Sequence, residues 1–174
     1  MKYVSIDLSQ RSTGITLTNE TGELLSTFTI KNLLETKYKE ADINQIKQAV
    51  EKLRQELITH LTKESMDLSW TLLIEYNINP LNVKFEKFSL SFIFYLCNLY
   101  KNVKIIPIQA SRWMTIANNI FSIKRDKYPK TKEGNKKWIS DIVKHLAPNH
   151  KFNTQDEKDS YLMLKTFLEK KDRF

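Results

Sequence analysis

Four carboxylates stand where an apolar chain would be expected to continue, and their placement constrains the fold more than any other feature. Asp7 follows the short strand-like run Tyr3-Val4-Ser5-Ile6, and Glu75 follows Thr71-Leu72-Leu73-Ile74. Asp156 and Asp159 open the last apolar helix, within Asp156-Glu157-Lys158-Asp159. A charge at the edge of a buried strand is costly unless it is paired or ligates a metal. Separately, each has an ordinary reading. Asp7 would be a turn former, Glu75 a strand-edge ion pair, and Asp156 or Asp159 a cap favoured by the helix dipole. One metal site accounts for all four together, and hard oxygen donors suit Mg²⁺ or Mn²⁺. Asp156 and Asp159, three residues apart, share one side of a helix. Glu157 is expected to look outward into solvent.

The order of elements is consistent with such convergence. Tyr3 to Ile6, a second strand from Gly14 to Leu17 and a third from Leu24 to Ile30 are joined by the turns Ser9-Gln10-Arg11-Ser12 and Asn19-Glu20-Thr21-Gly22. Short turns between consecutive strands make an antiparallel meander. A helix capped by Asp42 carries Ile43, Ile46, Val50, Leu53, Leu57 and Leu61 at steps of three or four. Trp70 to Glu75 is apolar without alternation, as for a strand buried on both faces. A helix over Phe85 to Tyr100 and a strand over Val103 to Ile108 follow, and this strand–helix–strand order implies a parallel pair with a right-handed crossover. Ser111 to Asn118 reads as a short helix, Asn119 to Gly134 as a basic irregular stretch, Trp138 to Leu146 as a helix ending near Pro148, and Gln155 to Glu169 as the last helix. The expected fold class is α/β: a five-stranded mixed sheet flanked by helices, in the ribonuclease H-like arrangement. In such a sheet the carboxyl ends of the central strands meet at one edge.

The 174 residues suit a single domain spanning 1–174, and only 3 glycines and 4 prolines occur, so no flexible linker is expected. No apolar run approaches the roughly 20 residues of a membrane helix, so no membrane partner is expected. The chain passes from Met1-Lys2 straight into a strand, so no secretory signal is expected. The single cysteine, Cys97, is read as a small core residue of a reduced, cytoplasmic protein. His60, His145 and His150 do not form a zinc pattern.

The net charge is +8, and from Phe121 to Lys151 nine bases face three acids, a net +6 in one stretch. Such a concentration points to a polyanionic partner, against the plainer reading of solubility alone. Tyr128 is the aromatic best suited to stack on an unpaired base. Trp138 shares a stripe with Ile142 and Leu146 and is read as core.

With these residues in view, the chain resembles the RuvC-type Holliday junction resolvases. Ile6-Asp7-Leu8-Ser9-Gln10-Arg11-Ser12-Thr13-Gly14 is similar to their first motif, Leu73-Ile74-Glu75 to their second, and Asp156-Glu157-Lys158-Asp159 before an apolar helix to their third. Order and spacing match across nearly the whole chain. The lysine-rich sequence is similar to versions carried by phages of low-GC Gram-positive bacteria, which would place it in the host cytoplasm.

The resemblance implies a homodimer that binds four-way DNA and nicks two strands of like polarity symmetrically. It implies Asp7, Glu75, Asp156 and Asp159 as catalytic ligands of two Mg²⁺ or Mn²⁺ ions, which would activate water and stabilise the leaving 3′ oxygen. Lys136 and Lys137 look like the family's phosphate-contacting position, with Arg112 or Lys124 as the other basic residue. Arg11, Arg125, Lys127, Lys130 and Lys132 complete the expected DNA-binding set. The helix 85–100 is apolar nearly all round. Its residues Leu90, Ile93, Phe94 and Cys97 are the expected dimer interface, in the region the family uses. One departure is Ile78, where members often carry an aromatic wedge. It implies a broader, structure-selective nuclease acting on several branched DNAs.

Three other functions share parts of this pattern. An ATPase of the actin or sugar-kinase type would need a second domain and a glycine-rich adenosine site, which three glycines do not supply. A ribonuclease acting on RNA/DNA hybrids or structured RNA would use the same fold and metal chemistry. A non-catalytic branched-DNA binder would not need all four acids.

Overall fold

A computed structural model describes residues 2–9, 12–31, 42–62, 70–76 and 103–174. Arg11, Ile78 and the 85–100 segment with Leu90, Ile93, Phe94 and Cys97 lie outside the described residues.

Five strands form one mixed sheet: β1 (Lys2–Asp7), β2 (Ser12–Thr18), β3 (Leu24–Lys31), β4 (Trp70–Tyr76) and β5 (Val103–Gln109). Their spatial order is β3-β2-β1-β4-β5. β1 pairs antiparallel with β2, and β2 with β3. β1 and β4, and β4 and β5, run parallel. The expected five-stranded mixed sheet is therefore present. The β2–β3 turn holds because Asn19 Oδ1 accepts from the N–H groups of Thr21 (3.1 Å) and Glu23 (2.8 Å), and Gly22 adopts a φ of 83°.

Among the described residues four helices flank the sheet: α1 (Ile43–Thr62), α2 (Ala110–Ile120), α3 (Lys132–Leu146) and α4 (Gln155–Glu169). Asp42 caps α1 as expected, its Oδ1 accepting from Asn44 N–H (2.8 Å) and Gln45 N–H (2.9 Å). One core lies beneath α1, where Ala49 and Leu53 meet Val4, Ile6, Ile15, Leu17, Leu72 and Ile74. The opposite core joins Tyr3, Leu73 and Ile108 to Trp113, Trp138, Ile142, Leu162 and Phe167 of α2, α3 and α4. The two-residue alternation of β1 explains the division. Val4 and Ile6 enter the first core, while Tyr3, Ser5 and Asp7 face α4.

The basic stretch after α2 is more ordered than its composition suggests. Arg125 clamps it: its Nε donates to Asn135 Oδ1, Nη1 to the Tyr128 carbonyl (2.9 Å) and Nη2 to the Pro129 carbonyl (2.8 Å). Trp138, buried as expected, donates from Nε1 to the Ile123 carbonyl (2.9 Å). Helix α3 begins at Lys132, inside the stretch expected to be irregular and about one turn before Lys136, because Thr131 Oγ1 caps it by accepting from Gly134 N–H (3.1 Å). Gly134 tolerates no side chain, since a Cβ would lie 2.1 Å from the Pro129 carbonyl oxygen.

Candidate metal centre and nucleic-acid interface

Asp7 and Glu75 are brought together by strand register. The parallel β1–β4 ladder pairs Ile6 with Ile74, so the next residues along, Asp7 as the last residue of β1 and Glu75 as the last but one of β4, stand at the carboxyl ends of adjacent strands. Across the antiparallel pair Asp7 faces Gly14. The first turn of α4 lies directly on that glycine: a Cβ there would stand 2.0 Å from the Asp156 carbonyl oxygen and 2.7 Å from Glu157 N. The missing side chain lets α4 approach β2 closely enough to deliver Asp156 and Asp159 beside Asp7.

Carboxylate oxygens of Asp7, Asp156 and Asp159 all lie within 4.8 Å of one another. Glu75 borders this cluster and acts electrostatically on both Asp7 and Asp159. Asp7 is only 8% exposed, and the other three are half-buried. Burial first, then the negative charge of Glu75, Asp159 and Asp156, pushes the Asp7 carboxyl well above the usual carboxylate range. Burial raises Glu75 to about 7 against the opposing hydrogen bond from Trp113. Burial also raises Asp159 to about 7, against a hydrogen bond from Gln155 and with Glu75 and Asp156 reinforcing the rise. Asp156 is raised by burial too, while Lys136 pulls the other way. The site is thus short of positive charge, which a divalent cation would supply. Its donors are all carboxylate oxygens, the set suited to Mg²⁺ or Mn²⁺.

Neutral groups that the sequence reading passed over orient these acids. Trp113 Nε1 donates to Glu75 Oε2 at 2.7 Å. Gln155 Nε2 donates to Asp159 Oδ1 at 2.7 Å, and Ser140 Oγ donates in turn to Gln155 Oε1 at 3.3 Å. The Ser12 hydroxyl donates to Asp156 Oδ2. Only Ser12 lies inside a motif; the others reach the acids from residues distant in sequence or in a preceding turn.

Glu157 corrects its expectation. It is 2% exposed, turned toward β3, and accepts three hydrogen bonds. Helical periodicity does not reveal this, because the sheet surface under α4 is built of hydroxyls. Ser5 Oγ donates to the Ser160 carbonyl (2.7 Å), and Thr16 Oγ1 shares a hydrogen bond with Ser160 Oγ (2.7 Å).

The expected DNA-binding residues divide into two groups. Lys127, Lys130, Lys132, Lys136, Lys137 and Arg112 are exposed. Lys132 and Lys136, one turn apart on α3, are close enough to act on Asp156. Lys124 and Arg125 are half-buried and engaged within the fold; Lys124 Nζ donates to the carbonyls of Asn118 (2.9 Å) and Asn119 (3.1 Å). The Arg112 guanidinium donates to the Arg173 carbonyl. Tyr128 is not the free stacking platform expected of it: it packs against the second core and donates its hydroxyl to Asp141 Oδ2 (2.7 Å). His150 likewise belongs to the scaffold, its Nε2 lying 2.9 Å from Thr27 Oγ1. Among the described residues no helix is long and apolar enough to cross a membrane.

Sheet order and acidic edge together define a ribonuclease H-like fold. Within that class the chain has the fold of RuvC: it is similar to Thermus thermophilus RuvC solved in complex with a Holliday junction substrate, at TM-score 0.63 and 10% identity over 99% of this chain and 96% of that one. A second Thermus thermophilus RuvC structure matches at TM-score 0.62 and 14% identity over the same shares. The Fowlpox virus resolvase, solved with substrate Holliday junction DNA, matches at TM-score 0.52 and 13% identity over 97% of each chain. No protein-family profile and no curated protein matches the sequence.

Proposed function

We propose that this chain is a metal-dependent endonuclease that binds and nicks branched DNA, four-way junctions above all, as a homodimer of single-domain subunits. The observation that carries this reading is the convergence of Asp7, Asp156 and Asp159, with Glu75 beside them, at the carboxyl edge of β1 and β4. It is supported by a fold shared with proteins solved on Holliday junction DNA.

Asp7, Glu75, Asp156 and Asp159 would hold two Mg²⁺ or Mn²⁺ ions, which when bound supply an activated water and stabilise the leaving 3′ oxygen in phosphodiester hydrolysis. Trp113 and Gln155 hold the Glu75 and Asp159 carboxylates in place. Lys136 stands beside the acids, where a scissile phosphate would add negative charge. The exposed lysines 127, 130, 132 and 137 extend this basic surface along the phosphate backbone, neutralising it without reading sequence. The apolar segment containing Leu90, Ile93, Phe94 and Cys97 is the proposed contact between subunits. A two-fold axis there would present both active sites to one junction.

The test is incubation of the protein with an end-labelled four-way junction and Mg²⁺ or Mn²⁺, beside an RNA/DNA hybrid duplex, with nick positions mapped. Paired nicks placed symmetrically across the junction are expected, and Asp7→Asn should abolish them. Cutting confined to the hybrid would make the protein a ribonuclease. Parental cutting by Asp7→Asn would remove the acids from the chemistry.

A further inference from the structure

Resting on the metal-centre reading above, we propose that Glu157 is a positioning residue for the metal ligands, an internal anchor that sets where the first turn of α4 meets the sheet. Around a helix, Glu157 stands about 100° from Asp156 and about 200° from Asp159. The two aspartates can therefore face the cluster while the glutamate faces away from it, toward β3. There its Oε1 accepts from the Thr29 hydroxyl at 2.9 Å. Its Oε2 accepts from the Asn153 backbone N–H at 2.8 Å and from the Thr27 hydroxyl at 3.3 Å.

These donors are themselves supplied with partners. Thr27 Oγ1 lies 2.9 Å from His150 Nε2, and Thr29 Oγ1 lies 2.7 Å from Thr154 Oγ1. Thr154 caps α4 by accepting from Glu157 N–H at 3.2 Å. If Thr27 and Thr29 donate to the carboxylate, they accept from His150 and Thr154. The Glu157 side chain thus completes a network in which each member has a partner, the condition under which a buried polar group rigidifies its surroundings. The network ties α4 to the edge strand β3 and to the loop before the helix, while Ser12 on β2 holds Asp156 itself. Loss of the carboxylate would leave buried donors unpaired and free the turn that carries two of the four acids.

A group that orients metal ligands typically contributes 10–100-fold to metal affinity. The measurement is a Mn²⁺ titration by calorimetry, at a temperature well below each variant's unfolding transition. Glu157→Ala should weaken Mn²⁺ binding about tenfold or more. Glu157→Gln, which keeps the length and re-pairs with Thr29 once one hydroxyl reverses, should retain most of the affinity. Thr29→Val leaves the glutamate in place and removes one donor; it should shift affinity in the same direction, and it decides the matter if Glu157→Ala does not fold. Leu53→Ala, in the opposite core, should lower the melting temperature and leave Mn²⁺ affinity unchanged. At saturating Mn²⁺ the Glu157 and Thr29 variants should recover most of the parental junction-cleavage rate.

Parental Mn²⁺ affinity in Glu157→Ala, or in Thr29→Val where Glu157→Ala is unfolded, overturns the proposal. If the parental chain binds Mn²⁺ and the variants weaken it, yet no DNA is cut, the positioning role stands and the nuclease reading falls. A parental chain that binds no Mn²⁺ overturns both.

Discussion

At the residue scale, the candidate centre is defined by what burial does to acids. Asp7, Glu75 and Asp159 all hold protons more tightly than free carboxylates, with burial as the largest cause at each. The sign of the consequence follows from linkage. Between the ordinary glutamate value of about 4.5 and about 7, the folded metal-free protein binds more protons at Glu75 than the unfolded chain does. The contribution of these groups to stability is therefore present at low pH and lost as pH rises through about 7. Divalent cations compete with those protons, so they should stabilise more at high pH than at low. Calorimetric melting across pH 5 to 8 should show Mg²⁺ raising the melting temperature strongly at the upper end and little at the lower. Glu75→Gln should flatten the metal-free dependence. A Mg²⁺ effect that is the same at both ends would contradict the protonated, cation-poor site.

At the scale of elements, α4 is the component that decides the geometry. It reaches β1 and β2 across glycine and hydroxyl side chains where hydrocarbon would be usual. That choice makes its docking directional: hydroxyl and carboxylate partners fix both rotation and register, where an apolar face would tolerate sliding. Gly14 is the narrowest point. Since the atoms that a Cβ would meet belong to the α4 backbone, Gly14→Ala must displace the helix. Overpacking of this kind costs typically 1–3 kcal/mol. The variant should melt lower and lose most metal-dependent cleavage, both read on one preparation. A Gly14→Ala protein with parental melting and parental cleavage would show that the close approach is not required.

The same element marks the boundary of what the sequence discloses. Strands β1 to β5 were legible because their apolar runs are short, bounded by turn residues and rich in β-branched side chains. The acids were legible because a carboxylate directly after such a run needs a reason. Glu157 was not, since the face rule for helices assumes an apolar floor, and here the floor is Thr27 and Thr29. The alternation Leu25-Ser26-Thr27-Phe28-Thr29-Ile30 carried a faint signal: it puts Thr27 and Thr29 on one face of β3 and Phe28 on the other. Trp113 was equally hidden, because nothing local links an indole in a short helix to Glu75, 38 positions earlier. In the basic stretch the composition suggested solvated chain; Arg125, Tyr128 and Thr131 hold it through contacts that composition does not encode.

At the scale of the whole molecule, charge and topology work together. A sheet with β1 at its centre and β4 beside it carries an acid at the carboxyl end of each of these parallel strands, Asp7 last in β1 and Glu75 one residue before the end of β4, and the last helix returns to the same edge with two more. Helix α3 sets Lys132 and Lys136 beside that acidic edge, within a chain of net charge +8. A polyanion drawn to the positive surface would meet the carboxylates at the place where metal would neutralise both. The most direct measurement is a crystal structure grown with Mn²⁺, read at the manganese absorption edge. Anomalous density should appear within bonding distance, about 2.0–2.2 Å, of oxygens from Asp7 and from Asp156 or Asp159, with Glu75 contributing to the same centre. Well-ordered acids with no such density, or manganese bound only at other surface carboxylates, would contradict it.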